Sequence, residues 1–201
     1  MDLDFDFLAV TDQTGLVPEN YQYFNQLLNK RTIVLNTEIK ENIVELVYLP
    51  LKDFEEDNIN APVTLIINSM GGSVSDSYFL AHYISTYKKP LNIIVTGCAA
   101  SMATILLCGG THNSNVIRYC FPSSYALIHD GYVALSASEA KTASDIMEFN
   151  NRVDSSIKDF IIKNSSITEE LYDAHARKQW FLDANDMKKY NLIDHIYGVD
   201  E

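Results

Sequence analysis

LNIIVTGCAASMATILLCGG (91–110) carries two periodicities back to back. LNIIVTG (91–97) is a β-branched apolar run of strand length; after a turn of small residues, MATILLCGG continues as a helix that two glycines stop. The segment upstream repeats the unit. PVTLIIN (62–68) is a buried strand, SMGG (69–72) a glycine turn, and SVSDSYFLAHYISTY a helix capped by Ser73, with Val74, Tyr78, Ala81 and Ile84 on its inner face. RTIVLN (31–36) and YALIH (125–129) are two more strands of this kind. Residues 38–56 are predicted as a helix, because Ile39, Ile43, Leu46, Val47 and Leu51 recur three and four apart. Strands alternating with helices predict an α/β fold whose sheet is parallel and covered on both faces.

The C-terminal third reads as helical. Ser136-Ala-Ser-Glu139 forms a capping box, and Ile146, Phe149, Val153, Ile157 and Phe160 hold one stripe out to about Lys163. A further helix is predicted from Thr168, and a last short one from Asp183 that ends at Asn191. No repeat or proline-rich linker divides the 201 residues, so the expectation is a flexible segment at 1–20 followed by one domain at 21–201.

Composition excludes several classes. A hydrophobic fraction of 47% is incompatible with a disordered chain. The net charge of −12, from 27 acidic and 15 basic residues, has the wrong sign for phosphate contacts, so no nucleic-acid partner is expected. Cys98, Cys108 and Cys120 are odd in number and form no CxxC pair, which suggests neither a disulfide framework nor a metal site. The start MDLDFDF lacks the basic head of a signal peptide, and no apolar run reaches the ~18 residues needed to span a membrane. A cytoplasmic protein without a membrane partner is the expectation.

In parallel α/β sheets, reactive groups gather where a strand's carboxyl end turns into a helix. Ser101 stands at such a place among Ala99, Ala100 and Ala103, whose small side chains let another chain approach. The free N–H groups of the helix start can hold an anion. A serine there either caps the helix or attacks a carbonyl whose oxyanion the helix end stabilises. Gly71 and Gly72 form a second turn able to supply a backbone donor. Of the five histidines, His129 ends a buried strand on the sheet edge where Ser101 lies, whereas His82, His112, His175 and His195 fall on helices, in a loop or near the C-terminus.

INSMGGSV (67–74), GCAASMA (97–103), ALIHD (126–130) and FLDANDMKKYNLID (181–194) resemble, in order and spacing, the motifs of the proteolytic subunit of the Clp protease. The match runs from about Tyr21 to Ile196. The resemblance implies a crotonase-like α/β unit, a parallel-sheet superhelix with a projecting helical handle at about 132–165. It also implies assembly into two stacked seven-membered rings enclosing the active sites. It makes Ser101 the nucleophile, His129 the general base, and the N–H groups of Gly72 and Met102 the oxyanion hole. It implies a serine endopeptidase acting on unfolded polypeptide with a Clp-class ATPase, with no cofactor of its own, since ATP is used only by that partner.

The chain departs from the pattern at the third triad position, where Gln179 replaces the expected aspartate. Asp183, Asp173 and Asp130 are the carboxylates near in sequence, Asp183 being the alternative third member. DGYVALSASE also replaces the usual segment after His129. Two other readings stay open: a structural ring subunit of little activity that assembles with an active partner, favoured by Gln179, and an acyl-CoA enzyme on a crotonase-like fold.

Overall fold

A computed structural model of the chain describes residues 27–129, 143–176 and 178–200. Its centre is strand β3 (Leu91–Ala100), flanked by β2 (Val63–Ser69), which in turn pairs with β1 (Thr32–Leu35), all parallel. β3 changes partner along its length. Leu91–Val95 pair with β4 (Val116–Cys120), and Cys98–Ala100 pair with β5 (Tyr125–Ile128), again in parallel. Two short strands finish the sheet: β6 (Trp180–Leu182) runs antiparallel to β5, and β7 (His195–Ile196) lies parallel to β4.

The strands follow from their residues. β2 and the first half of β3 bury alternate positions, with Val63, Leu65 and Ile67 beside Leu91, Ile93 and Val95 in one continuous core. Helix α1 (Leu49–Glu56) is preceded by a π-helical turn, Val44–Tyr48. Helix α2 (Val74–Thr86) starts at Ser73, whose side chain accepts the Asp76 N–H, and packs on α3 (Met102–Gly109), which is buried along its whole length. Helix α4 (Ala143–Lys163) is amphipathic, α5 (Glu169–His175) is capped by Thr168, and α6 (Ala184–Lys189) by Asp183.

One expected helix is shorter than its periodicity predicts. Residues 38–40 are extended instead, because Ile39 bridges to Gly72: its N–H donates to the Gly71 carbonyl and its carbonyl accepts the Ser73 N–H, both at 2.8 Å. Ile39 and Ile43 are both fully buried, Ile39 from this bridge and Ile43 from the start of the helical segment. Strand β4 carries no obvious period because its middle inward position holds Arg118, only 2% exposed. That guanidinium donates to both Asp194 oxygens (2.7 and 3.1 Å), to Thr111 Oγ1, to the carbonyls of Leu107 and Asn191, and to Asn191 Oδ1. A buried charge persists only when so paired. The expected capping box at 136–139, the first part of the handle and the segment 1–20 lie outside the described residues.

Candidate active site

Ser101 follows the last residue of β3 and precedes the first of α3, with φ 52° and ψ −124°. A non-glycine residue at positive φ costs roughly 1–3 kcal/mol and persists only where its surroundings impose it. The surroundings here are specific. The Ser101 N–H donates to the Leu127 carbonyl at 2.7 Å, tying the turn to β5, and Thr104 Oγ1 lies 2.8 Å from Ala99 O and 3.2 Å from Leu127 O. Although Ser101 occupies the N-cap position, its side chain makes no capping bond. Ser101 is half-buried, a serine on a sharp strand-to-helix turn of the kind found at a nucleophile elbow.

The glycine turn fits against this elbow. Gly71 has φ 91°, and a Cβ on it would stand 2.6 Å from Ala100 O, 2.8 Å from Met102 N and 2.9 Å from Ser101 Cβ. On the other side, a Cβ on Gly72 (φ 146°) would stand 2.2 Å from Ile39 O. The glycine pair is thus wedged between residue 39 and the Ser101 turn, at contacts that admit no side chain. Ser69 Oγ locks its entry by accepting the Gly71 N–H at 3.2 Å and donating to Thr37 O at 2.6 Å. The bridge to Ile39 uses the Gly71 carbonyl and the Ser73 N–H, so the intervening Gly72 N–H faces away from it, on an exposed residue. The Met102 N–H opens α3 and is among the helix-start donors that have no intrahelical acceptor.

His129 comes directly after β5 and is half-buried. Ala100 pairs with Leu127, so Ser101 and His129 leave the same ends of neighbouring parallel strands, one and two residues beyond that pair. Their Cα levels differ by about one residue's rise, ~3.3 Å. On the far side of β5, Ile128 is paired with Trp180; continuing that antiparallel register by one residue sets Gln179 opposite His129. Residues so opposed carry their Cβ atoms about 4.5–5.5 Å apart on one face. Gln179 is exposed.

Two of the candidate carboxylates, Asp183 and Asp173, are elsewhere. Asp183 lies at the other end of β6, four residues and ~13 Å of extended chain from Gln179. Its Oδ1 accepts the Asp186 N–H at 2.9 Å as the cap of α6. Asp173 is ion-paired to Lys158 at 2.7 Å, and Asp130 lies outside the described residues. Burial pushes the Cys108 thiol up to about 12 and the Cys120 thiol up to about 11. Both stay protonated at neutral pH and do not compete with Ser101 as nucleophiles.

Two other features were not read from the sequence. His175 stacks on Trp180 with ring centroids 4.8 Å apart, and Tyr190 meets the indole edge-on at 5.6 Å, contacts that hold the start of β6 next to Gln179. The signal was the aromatic content of the stretch, without a period to place it. A pocket of about 160 Å³ lined by Tyr119, His195, Ile196, Tyr197 and Asp200 sits at the β4–β7 edge and contains none of the groups above. Among the described residues no three His, Cys, Asp or Glu side chains converge as metal ligands, and no helix is long and apolar enough to cross a membrane.

The order of motifs, the mostly parallel sheet and the elbow agree with one comparison: the sequence matches the Clp protease family over residues 15–200. That span is nearly the whole chain, and the protein belongs to the Clp protease family, a family of serine peptidases.

Proposed function

We propose that this chain is a serine endopeptidase subunit in which Ser101 is acylated by peptide carbonyls. His129 takes the Ser101 Oγ proton as the bond to the carbonyl carbon forms, and the oxyanion is held by the N–H groups of Gly72 and Met102. Breakdown expels the leaving amine, which receives that proton from His129, and water activated by the same imidazole then hydrolyses the ester. The reading needs no cofactor. The observation that carries it is the Ser101 backbone, held at φ 52° with a hydroxyl that caps nothing. A helix cap has no use for that strain.

Family membership supports the wider setting. The peptidase unit would span residues 21–201, with the handle at 132–165, and assemble in the cytoplasm as two stacked heptameric rings served by a Clp-class ATPase that feeds in unfolded polypeptide. Light scattering should give a ring-sized particle; a monomer at micromolar concentration refutes that assembly.

Gln179 favours a second reading, a structural subunit of low activity alongside an active partner. A neutral amide can orient His129 but cannot stabilise the imidazolium, and an aspartate-to-amide change at this position costs up to about 10⁴ in rate. Hydrolysis of a short fluorogenic peptide by wild type, Ser101→Ala and His129→Ala separates the two. Slow hydrolysis abolished in both variants supports the peptidase; equal background rates in all three support the structural subunit.

A further inference from the structure

Met70 links the end of β2 to the glycine pair, and its side chain is 60% exposed. Its Sδ lies 3.6 Å from the Sγ of buried Cys98, a thiol that also faces Ser69 O at 3.5 Å and Asn68 Oδ1 at 3.7 Å. The next residue, Gly71, is the one that touches the Ser101 turn. The other described methionines differ. Met102 and Met187 are 5% and 0% exposed, while Met147, 57% exposed, lies on α4. Met70 is thus an open thioether one residue from the glycine that packs on the elbow, in contact with the Cys98 thiol.

We propose that Met70 is an oxidative modification site that tunes the neighbouring serine chemistry. A peroxide transfers one oxygen to Sδ: the S–O bond forms, the O–O bond breaks, the sulfur gives up two electrons and the peroxide leaves as water or an alcohol. The product is polar and chiral where the thioether was apolar and flexible. It also puts a polar group one residue from Gly71, whose packing against the Ser101 turn leaves no room to adjust. Thiol-dependent sulfoxide reductases reverse the change, so the site is switchable. The effect on turnover rests on the peptidase reading above; the modification does not.

The test treats the full-length protein with hydrogen peroxide and follows peptide mass and peptide hydrolysis together in wild type, Met70→Leu, Cys98→Ala and Met147→Leu. The expected result is a one-oxygen gain at Met70. Ser101-dependent hydrolysis should fall in step in wild type, Cys98→Ala and Met147→Leu, by about tenfold, a fraction of the roughly 10²–10³ that full loss of an oxyanion donor costs. Met70→Leu, measured against its own untreated rate, should lose nothing on peroxide treatment. Resistance of Cys98→Ala, or a fall in Met70→Leu as steep as in wild type, overturns the proposal. If untreated wild type shows no Ser101-dependent hydrolysis, the peptidase reading fails instead. The modification is then judged by mass alone, and a Met70 left as thioether while Met147 is oxidised overturns it.

Discussion

Replacing Gly71 with alanine puts a methyl group into the tightest contact of the site. The alanine would be held at φ 91°, where an L-residue loses about 1–2 kcal/mol. Its Cβ would meet Ala100 O at 2.6 Å and Met102 N at 2.8 Å. Both are backbone atoms of the elbow, so relief requires the strand end or the helix start to move, and overpacking of this kind costs about 1–3 kcal/mol. Together the two effects amount to about 2–5 kcal/mol, a large share of the 5–15 kcal/mol that holds a domain. Relief by moving Met102 also displaces a proposed oxyanion donor, and loss of one such donor lowers kcat by about 10²–10³. Gly198 is the matched control: its φ is 72°, and a Cβ there meets nothing within 4 Å, so Gly198→Ala carries the backbone strain alone. Thermal melting of the three proteins, followed by peptide hydrolysis at a temperature where all are folded, reads both effects. Gly71→Ala melting level with Gly198→Ala and turning over at the wild-type rate would refute the wedge and the placement of the Met102 donor.

Gln179→Asp should raise Ser101-dependent hydrolysis, by up to about 10⁴, because the carboxylate would stand opposite His129 and stabilise its imidazolium; an unchanged rate shows that position 179 does not serve the histidine. Asp183→Asn should leave hydrolysis near the wild-type rate while retaining the α6 cap, and a fall to background would make Asp183 the third member after all. Burial pushes the Asp194 carboxyl up, but the side-chain and backbone hydrogen bonds and the charge of Arg118 outweigh it, leaving it below the usual carboxylate range. The stability this pair contributes is therefore present above the unfolded value near 3.9 and is lost as pH falls below it. Arg118→Met should cost about 1–3 kcal/mol at neutral pH, measured by urea unfolding, since it leaves the half-buried Asp194 charge without its guanidinium partner, held only by the backbone N–H of residue 118. Arg118→Met/Asp194→Leu should recover part of that loss, and a double variant no more stable than the single would count against the unpaired charge as its cause.

Much of the fold could be read from residue order because β1, β2 and β3 are apolar runs bounded by proline, asparagine or glycine, and because Ser73, Thr168 and Asp183 cap the helices they were assigned to. The elements that escaped are those whose pattern is set by distant partners. β4 hides its alternation behind Arg118, a charge made tolerable by Asp194, 76 residues away. β6 and β7 are three and two residues long and exist through pairing with β5 and β4. Residues 38–40 have helical spacing but serve the glycine turn, a demand invisible within that segment. At the site, the sequence placed Ser101 at a helix start yet could not separate nucleophile from cap, since that distinction lies in a backbone angle and a missing hydrogen bond. Gln179 could be aligned only by motif; the β5–β6 register ends at Ile128 and Trp180, one residue short of His129 and Gln179 on each strand.

The central claim, that Ser101 is an activated nucleophile, is tested most directly by intact-protein mass after exposure to a serine-reactive fluorophosphonate, with peptide mapping of the adduct. Labelling needs the elbow, the base and the oxyanion donors but no protein substrate or ATPase. A single adduct on Ser101 is expected in wild type, none in Ser101→Ala and strongly slowed labelling in His129→Ala. A wild-type protein that stays unlabelled at Ser101, or labels equally fast without His129, would contradict the claim.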